Sequence, residues 1–164
     1  MKLFSFAGLL LLVVALAAGC APSDTPPAEA PAAASIPFRN DGTVRFTRGE
    51  EELLTIAIEI ADTDSAIVRG LMQRISLPDL SGMLFLMPSE EPQSFWMANT
   101  PLALDLFFAN TTGEIVSIAR YTRPLSPEPV LSNLPARFVL ETPAGFADSH
   151  GIIEGDRIEW ERRD

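Results

Sequence analysis

Leu53-Leu54-Thr55-Ile56-Ala57-Ile58-Glu59-Ile60 is the stretch whose reading decides the fold. Its apolar residues fall on every second position. Leu54, Ile56, Ile58 and Ile60 share one face; Thr55, Ala57 and Glu59 share the other. A period of two is the signature of a strand with one face buried. Just before it, Val44 to Thr47 is short enough to be a first strand. Just after it, Asp62-Thr63-Asp64 gathers side chains that cap helix N-termini, so a short helix is expected over Ser65 to Arg74. Ile67/Val68, Leu71 and Ile75 give that helix an apolar stripe. Gly70 inside it weakens the helix by ~1 kcal/mol relative to Ala. Close packing against a strand is one reason for a glycine there.

Beyond the helix, Arg69 to Phe108 holds four of the five methionines and one of the two tryptophans. Met83 to Met87 is expected to be a buried strand, Pro88 to Pro92 a loop, Ser94 to Ala98 a strand and Leu102 to Ala109 another. Asn110-Thr111-Thr112-Gly113 has the composition of a hairpin loop leading into a strand over Glu114 to Ala119. The prolines of Arg123 to Pro135 predict an ordered loop or flap. Ala136 to Glu141 reads as a strand. Thr142-Pro143 reads as an N-cap with proline at the first helical position, opening a helix through Ser149. Arg157 to Trp160 alternates again and closes the domain as a strand. The fold class is therefore α+β and mostly β: a compact antiparallel sheet or partly closed barrel with two short helices.

The N-terminus carries an address. Met1 to Cys20 places one lysine before an apolar run of signal-peptide length, too short for the ~20 residues of a membrane span. Leu16-Ala17-Ala18-Gly19-Cys20 resembles a bacterial lipobox. That resemblance implies removal of residues 1–19, lipid on Cys20 and a membrane-anchored protein of the cell envelope. Ala21 after the cysteine implies the periplasmic face of the outer membrane in a Gram-negative cell. Residues 20–37 form a tether: Ala21 to Pro37 holds five prolines and six alanines and cannot build a core. Residues 38–164 form a single globular domain.

Processing limits the available chemistry. The mature domain has no cysteine and no lysine, one histidine (His150) and one tyrosine (Tyr121). A thiol nucleophile, Schiff-base chemistry and a multi-histidine metal site are excluded. No phosphate loop, cofactor motif or metal motif is present. His150, just before Gly151, reads as a capping or solvent-facing residue. Losing Lys2 takes the formal net charge from −10 to −11, since one of 12 basic residues leaves and all 22 acidic ones remain. An acidic surface repels nucleic acid.

Several motifs in order resemble one family. They are Gly70-Leu71-Met72 with Arg74, Leu77-Pro78, Gly82-Met83-Leu84-Phe85, Phe95-Trp96-Met97 with Asn99-Thr100, Leu104-Asp105 with Phe108, and Leu140-Glu141 with Pro143-Ala144-Gly145. Together they resemble the domain of unknown function 192, over about Val44 to Arg157. The resemblance implies a small β-rich domain, often exported or tethered, and assigns no catalytic residue. Gln73 and Ala98 stand where that family usually has a bulky residue and a lysine.

The candidate ligand-binding residues are Arg74, Trp96, Asn99, Thr100 and Asp105. Arg74 and Asp105 are expected to meet in a bidentate ion pair, either locking helix to sheet or flooring a pocket. Asn99-Thr100 before Pro101 suits a turn as well as a site. Trp96, Met83, Met87 and Met97 suit either a core or an apolar cleft, and Trp96 suits stacking on a sugar ring. Three functions remain open. One is a binding or accessory module for an envelope glycan, peptide or protein. Another is a hydrolase using paired carboxylates such as Asp105 and Glu141, in which case ~5 to 10 Å should separate them across a cleft. The third is a structural or assembly lipoprotein without a small-molecule site. The scarcity of acid–base side chains favours the first and leans away from an enzyme.

Overall fold

The computed structural model describes residues 36–163. The signal, Cys20 and nearly all of the tether lie outside these residues. β1 (Gly42–Arg48) and β2 (Glu51–Ala61) form the first hairpin. Leu54, Ile56, Ile58 and Ile60 pack on one apolar cluster, as their alternation requires. The far half of β2 is buried on its other face too: Glu59 is 1% exposed.

α1 (Asp64–Arg69) follows, capped by Thr63, whose hydroxyl accepts from the Ala66 N–H at 3.3 Å. The cap lies where the sequence places it, but the helix stops at Arg69 rather than Arg74. Gly70 ends it at φ 45°. Two tight turns through Gln73 (φ 64°) then carry the chain to Arg74. A side chain on Gly70 would meet the ring of Phe85, with a Cβ 3.1 Å from the Cζ. The glycine thus lets the turn lie flat on the next strand.

That strand is β3 (Ser81–Trp96), which runs parallel to β2. A parallel neighbour needs a crossover, and α1 with its turns supplies it. The expected loop at Pro88–Pro92 does not break the strand. Pairing with β6 resumes after register shifts between Leu86 and Glu91 and between Pro92 and Ser94. Such irregularities accommodate prolines that cannot donate to a ladder.

β4 (Leu104–Ala109) is buried throughout and turns through Asn110–Gly113 into β5 (Ile115–Ala119). The Asn110 side-chain oxygen accepts from the N–H groups of Thr112 and Glu114 and so fixes the hairpin loop. β6 (Pro129–Pro143) extends the expected strand at both ends. Thr142 and Pro143 are its last residues rather than the start of a helix. Thr142 is fully buried opposite Asp105, so sheet pairing overrides the local cap signal. α2 (Phe146–His150) begins after Gly145, and β7 (Arg157–Arg162) ends the domain.

The seven strands of the described residues run in the order β5-β4-β6-β3-β2-β1-β7. The sheet curls into a half-barrel. Its two edges are linked through a Glu114–Arg157 bridge, reinforced by N–H···O bonds from Ile115 to Asp156 and from Ile158 to Gly113. Each face has its own core. Phe46, Ile58, Leu84, Phe107, Leu140 and Phe146 lead one, with Phe46 and Phe107 in edge contact at 5.5 Å. Leu71, Met83, Phe85, Met97, Leu106, Phe108 and Val139 lead the other, which the α1 crossover covers. Each fully buried large side chain contributes roughly 1.5–3 kcal/mol.

Candidate binding site

Arg74 and Asp105 do not pair. Arg74 is 6% exposed and donates through Nη2 to Glu59 Oε2 at 2.6 Å. Its other nitrogen reaches the carbonyls of Ile36 and Pro37 at 3.4 and 3.5 Å. Glu59 Oε1 accepts from the Arg39 N–H at 2.9 Å. This buried pair seats the entering chain on the sheet, and the chain is already held two residues before Phe38. Glu59 escapes notice in the sequence because it occupies the polar phase of an alternating strand.

Asp105 has a different task. It is wholly buried, and its two oxygens accept from the N–H groups of Tyr121 (2.8 Å) and Ala147 (3.0 Å). Ala147 lies in the first turn of α2, whose N-cap, Gly145, has no side chain to offer. Asp105 therefore caps α2 from β4.

Asn99 is exposed. Its carbonyl accepts from the Gln73 N–H at 2.8 Å, and its amide lies 3.9 Å from the Met72 sulfur. Thr100 is buried, with its N–H bonded to Met97 O and its carbonyl accepting from Leu125. Both sit in the turn that docks on the α1 crossover. Trp96, at the end of β3, is 57% exposed.

The structure gathers the neighbourhood of these residues into a cleft of about 240 Å³. Ile67, Val68, Leu71 and Met72 form one wall, and Phe85, Met87, Phe95 and Trp96 the other. Arg69, Thr100 and Glu141 also line it. Of the five candidates, Trp96 and Thr100 belong to the cleft. Arg74 faces a separate hollow of about 740 Å³ on the other side of Gly70.

Glu141 lies in a strand, as the sequence places it, but its surroundings were not foreseen. It sits in β6 between Met83 of β3 and Leu106 of β4. It is 5% exposed, and its Oε2, itself sealed from solvent, has no hydrogen-bond partner among the described residues. Burial pushes its carboxyl up to about 8, so it carries a proton at neutral pH. Register also decides the fate of the carboxylate pair. Asp105 stands opposite Thr142 and Leu106 opposite Glu141, so Asp105 and Glu141 project from opposite faces of the sheet. They do not flank one cleft. The signal for Glu141 was its phase: it alternates with Leu140 and shares the face of Val139.

Among the described residues, a curled seven-stranded sheet with a short crossover helix and an apolar cleft beside a buried carboxyl defines the class of this domain. The chain belongs to the DUF192 family, described as "Uncharacterized ACR", whose model matches residues 44–160. Two solved structures share the fold. One, from Sinorhizobium meliloti, is described as a "putative transcription regulator"; it is 31% identical with a TM-score of 0.70, the match covering 77% of this chain and 97% of that one. The other, from Novosphingobium aromaticivorans, is a protein of unknown function, 33% identical with a TM-score of 0.68, covering 72% of this chain and 84% of that one. No curated protein matches.

Proposed function

We propose that this is a lipid-anchored binding module of the cell envelope, which takes an apolar segment of a peptide or protein partner into the cleft between the α1 crossover and β3. The observation that carries the reading is Glu141. A buried polar atom without a partner costs roughly 1–3 kcal/mol, and cores normally avoid it. Here its residue lines a cleft whose rim leaves Trp96 and Val68 57% and 71% exposed. Exposed tryptophan and methionine-lined walls suit adaptable recognition. At about 240 Å³ the cleft is smaller than the roughly 300–1,000 Å³ of drug-sized pockets, a fit for a side chain of a larger partner. Apolar walls also favour a peptide over a glycan, whose hydroxyls need many polar partners. The Cys20 anchor and the tether supply the envelope location. A nucleic-acid partner is no part of the proposal, because the chain's formal charge is −10.

A photo-crosslinking amino acid at Val68, tested in the native host, reads this directly. Val68 is exposed, so the fold survives the change. Discrete adducts are expected from Val68 and none from a probe at exposed Thr43 on β1. No adduct at Val68, or the same adducts from both positions, contradicts the proposal.

A further inference from the structure

β3 loses one neighbour partway along its length. β2 pairs with it only as far as Ala61 opposite Phe85, because the chain then leaves the sheet for α1. β6 continues on the other side as far as Trp96. From Leu86 to Trp96, the side of β3 that faced β2 has no strand beside it among the described residues. Ten residues of straight strand would span ~33 Å. Phe95 nevertheless meets Phe85 with ring centroids 5.0 Å apart, so β3 bends back across its register shifts. The cleft opens along the bare edge: Ser94 and Trp96 line it, and both are exposed. We infer that the cleft is a strand-addition site, where an extended peptide pairs its backbone with Ser94 and Trp96 and lowers one apolar side chain between Val68 and Met87. The inference rests on the cleft being the binding site proposed above.

Backbone direction decides which groups are free. Successive residues of an antiparallel strand turn their N–H and C=O to opposite sides. The N–H of Gln93 donates to the Ser132 hydroxyl at 2.9 Å, and that of Met97 to the Ser126 carbonyl at 3.2 Å, both on the β6 side. By alternation Phe95 faces β6 too, and the N–H and C=O of Ser94 and Trp96 face the open side. Trp96 stands opposite Pro129, which has no N–H to give, as suits a pair that exchanges no bonds. Four backbone groups at strand spacing are a template for another strand, and an extended segment satisfies them together. Residues 21–37 suit this edge poorly, since five prolines withhold donors and six alanines offer little to bury. Arg69, exposed at the mouth, is the one cation of the lining and makes no ion pair among the described residues. It complements a segment with an acidic residue near the apolar one.

The test uses the 15N-labelled full chain and an acetylated, amidated pentapeptide of threonine, valine, leucine, valine and glutamate, in that order. Without peptide, the Phe95 amide proton should exchange slowly and those of Ser94 and Trp96 rapidly. Saturating peptide should slow Ser94 and Trp96 at least about tenfold. N-methylation of one alternate set of the peptide's amides should abolish binding, and methylation of the other set should leave it intact. Lysine in place of the glutamate should weaken binding, a difference that Arg69→Gln erases. Slow exchange at Ser94 and Trp96 without peptide would assign the edge to another part of this chain or to a second copy, and overturns the inference. Binding that ignores the position of the methyl groups also overturns it, and leaves the cleft as a site for side chains alone with the reading above intact. Absence of binding by the pentapeptide overturns the inference, and the Val68 crosslinks then decide whether the reading beneath it stands.

Discussion

Glu141 has a measurable cost at the scale of the single residue. Its carboxyl stands at about 8 in the folded chain against 4.5 unfolded. Between those values the folded state holds more protons than the unfolded state, so stability falls as pH rises from about 4.5 to 8 and levels off above. At pH 7 the penalty is up to about 3 kcal/mol. Glu141→Gln should raise stability at neutral pH and flatten this slope, as read by urea unfolding at several pH values. An unchanged slope in the variant would place the pH dependence elsewhere. Arg74 and Glu59 show the opposite case. Arg74→Ala leaves Glu59 charged and buried and should cost roughly 3–5 kcal/mol, while Glu59→Gln, which keeps an acceptor, should cost less. Equal and small losses would mean that the pair does not hold the entering chain. Arg74 and Asp105 were each legible as polar residues set among apolar ones, whether as a lock or as a pocket floor. Their partners were not: strand alternation hid Glu59, and the cap of α2 comes from a strand distant in sequence.

The crossover at Gly70 governs the cleft at the scale of the element. Gly70→Ala puts a side chain at φ 45° and a Cβ 3.1 Å from Phe85. A loss of roughly 1–3 kcal/mol is expected. The same change should disturb the cleft wall, seen as altered accessibility of Met72 and Met87 to mild oxidation. A variant with wild-type stability and accessibility would contradict this account of the turn. The strands over β1, β2, β4, β5 and β7 were legible because alternation and turn residues agree there. β3 and β6 were harder to read. Pro88, Pro92 and Pro135 signal breaks, yet the two strands pair past them by shifting register. Thr142-Pro143 fits a helix start locally, and only burial opposite Asp105 makes it strand.

The proposal at the scale of the whole molecule joins two parts, an address in residues 1–37 and a cleft in the folded domain. In the native host, Cys20→Ser should abolish lipid labelling and leave the precursor unprocessed; unchanged maturation would remove the anchor from the account. The half-barrel class was legible from the number of short strands and the scarcity of helices. The cleft was not, because it forms where the α1 crossover, both halves of β3 and the far end of β6 converge.

Methionine methyl groups offer the most direct view of that cleft. Met72 and Met87 line it, while Met83 and Met97 belong to the core cluster beneath. NMR of the full chain carrying 13C-methyl methionine, titrated with the unmethylated pentapeptide, should shift the Met72 and Met87 signals saturably and leave Met83 and Met97 less affected. Signals that stay fixed at Met72 and Met87, or that move equally at all four, would contradict the claim that this cleft is where the protein binds.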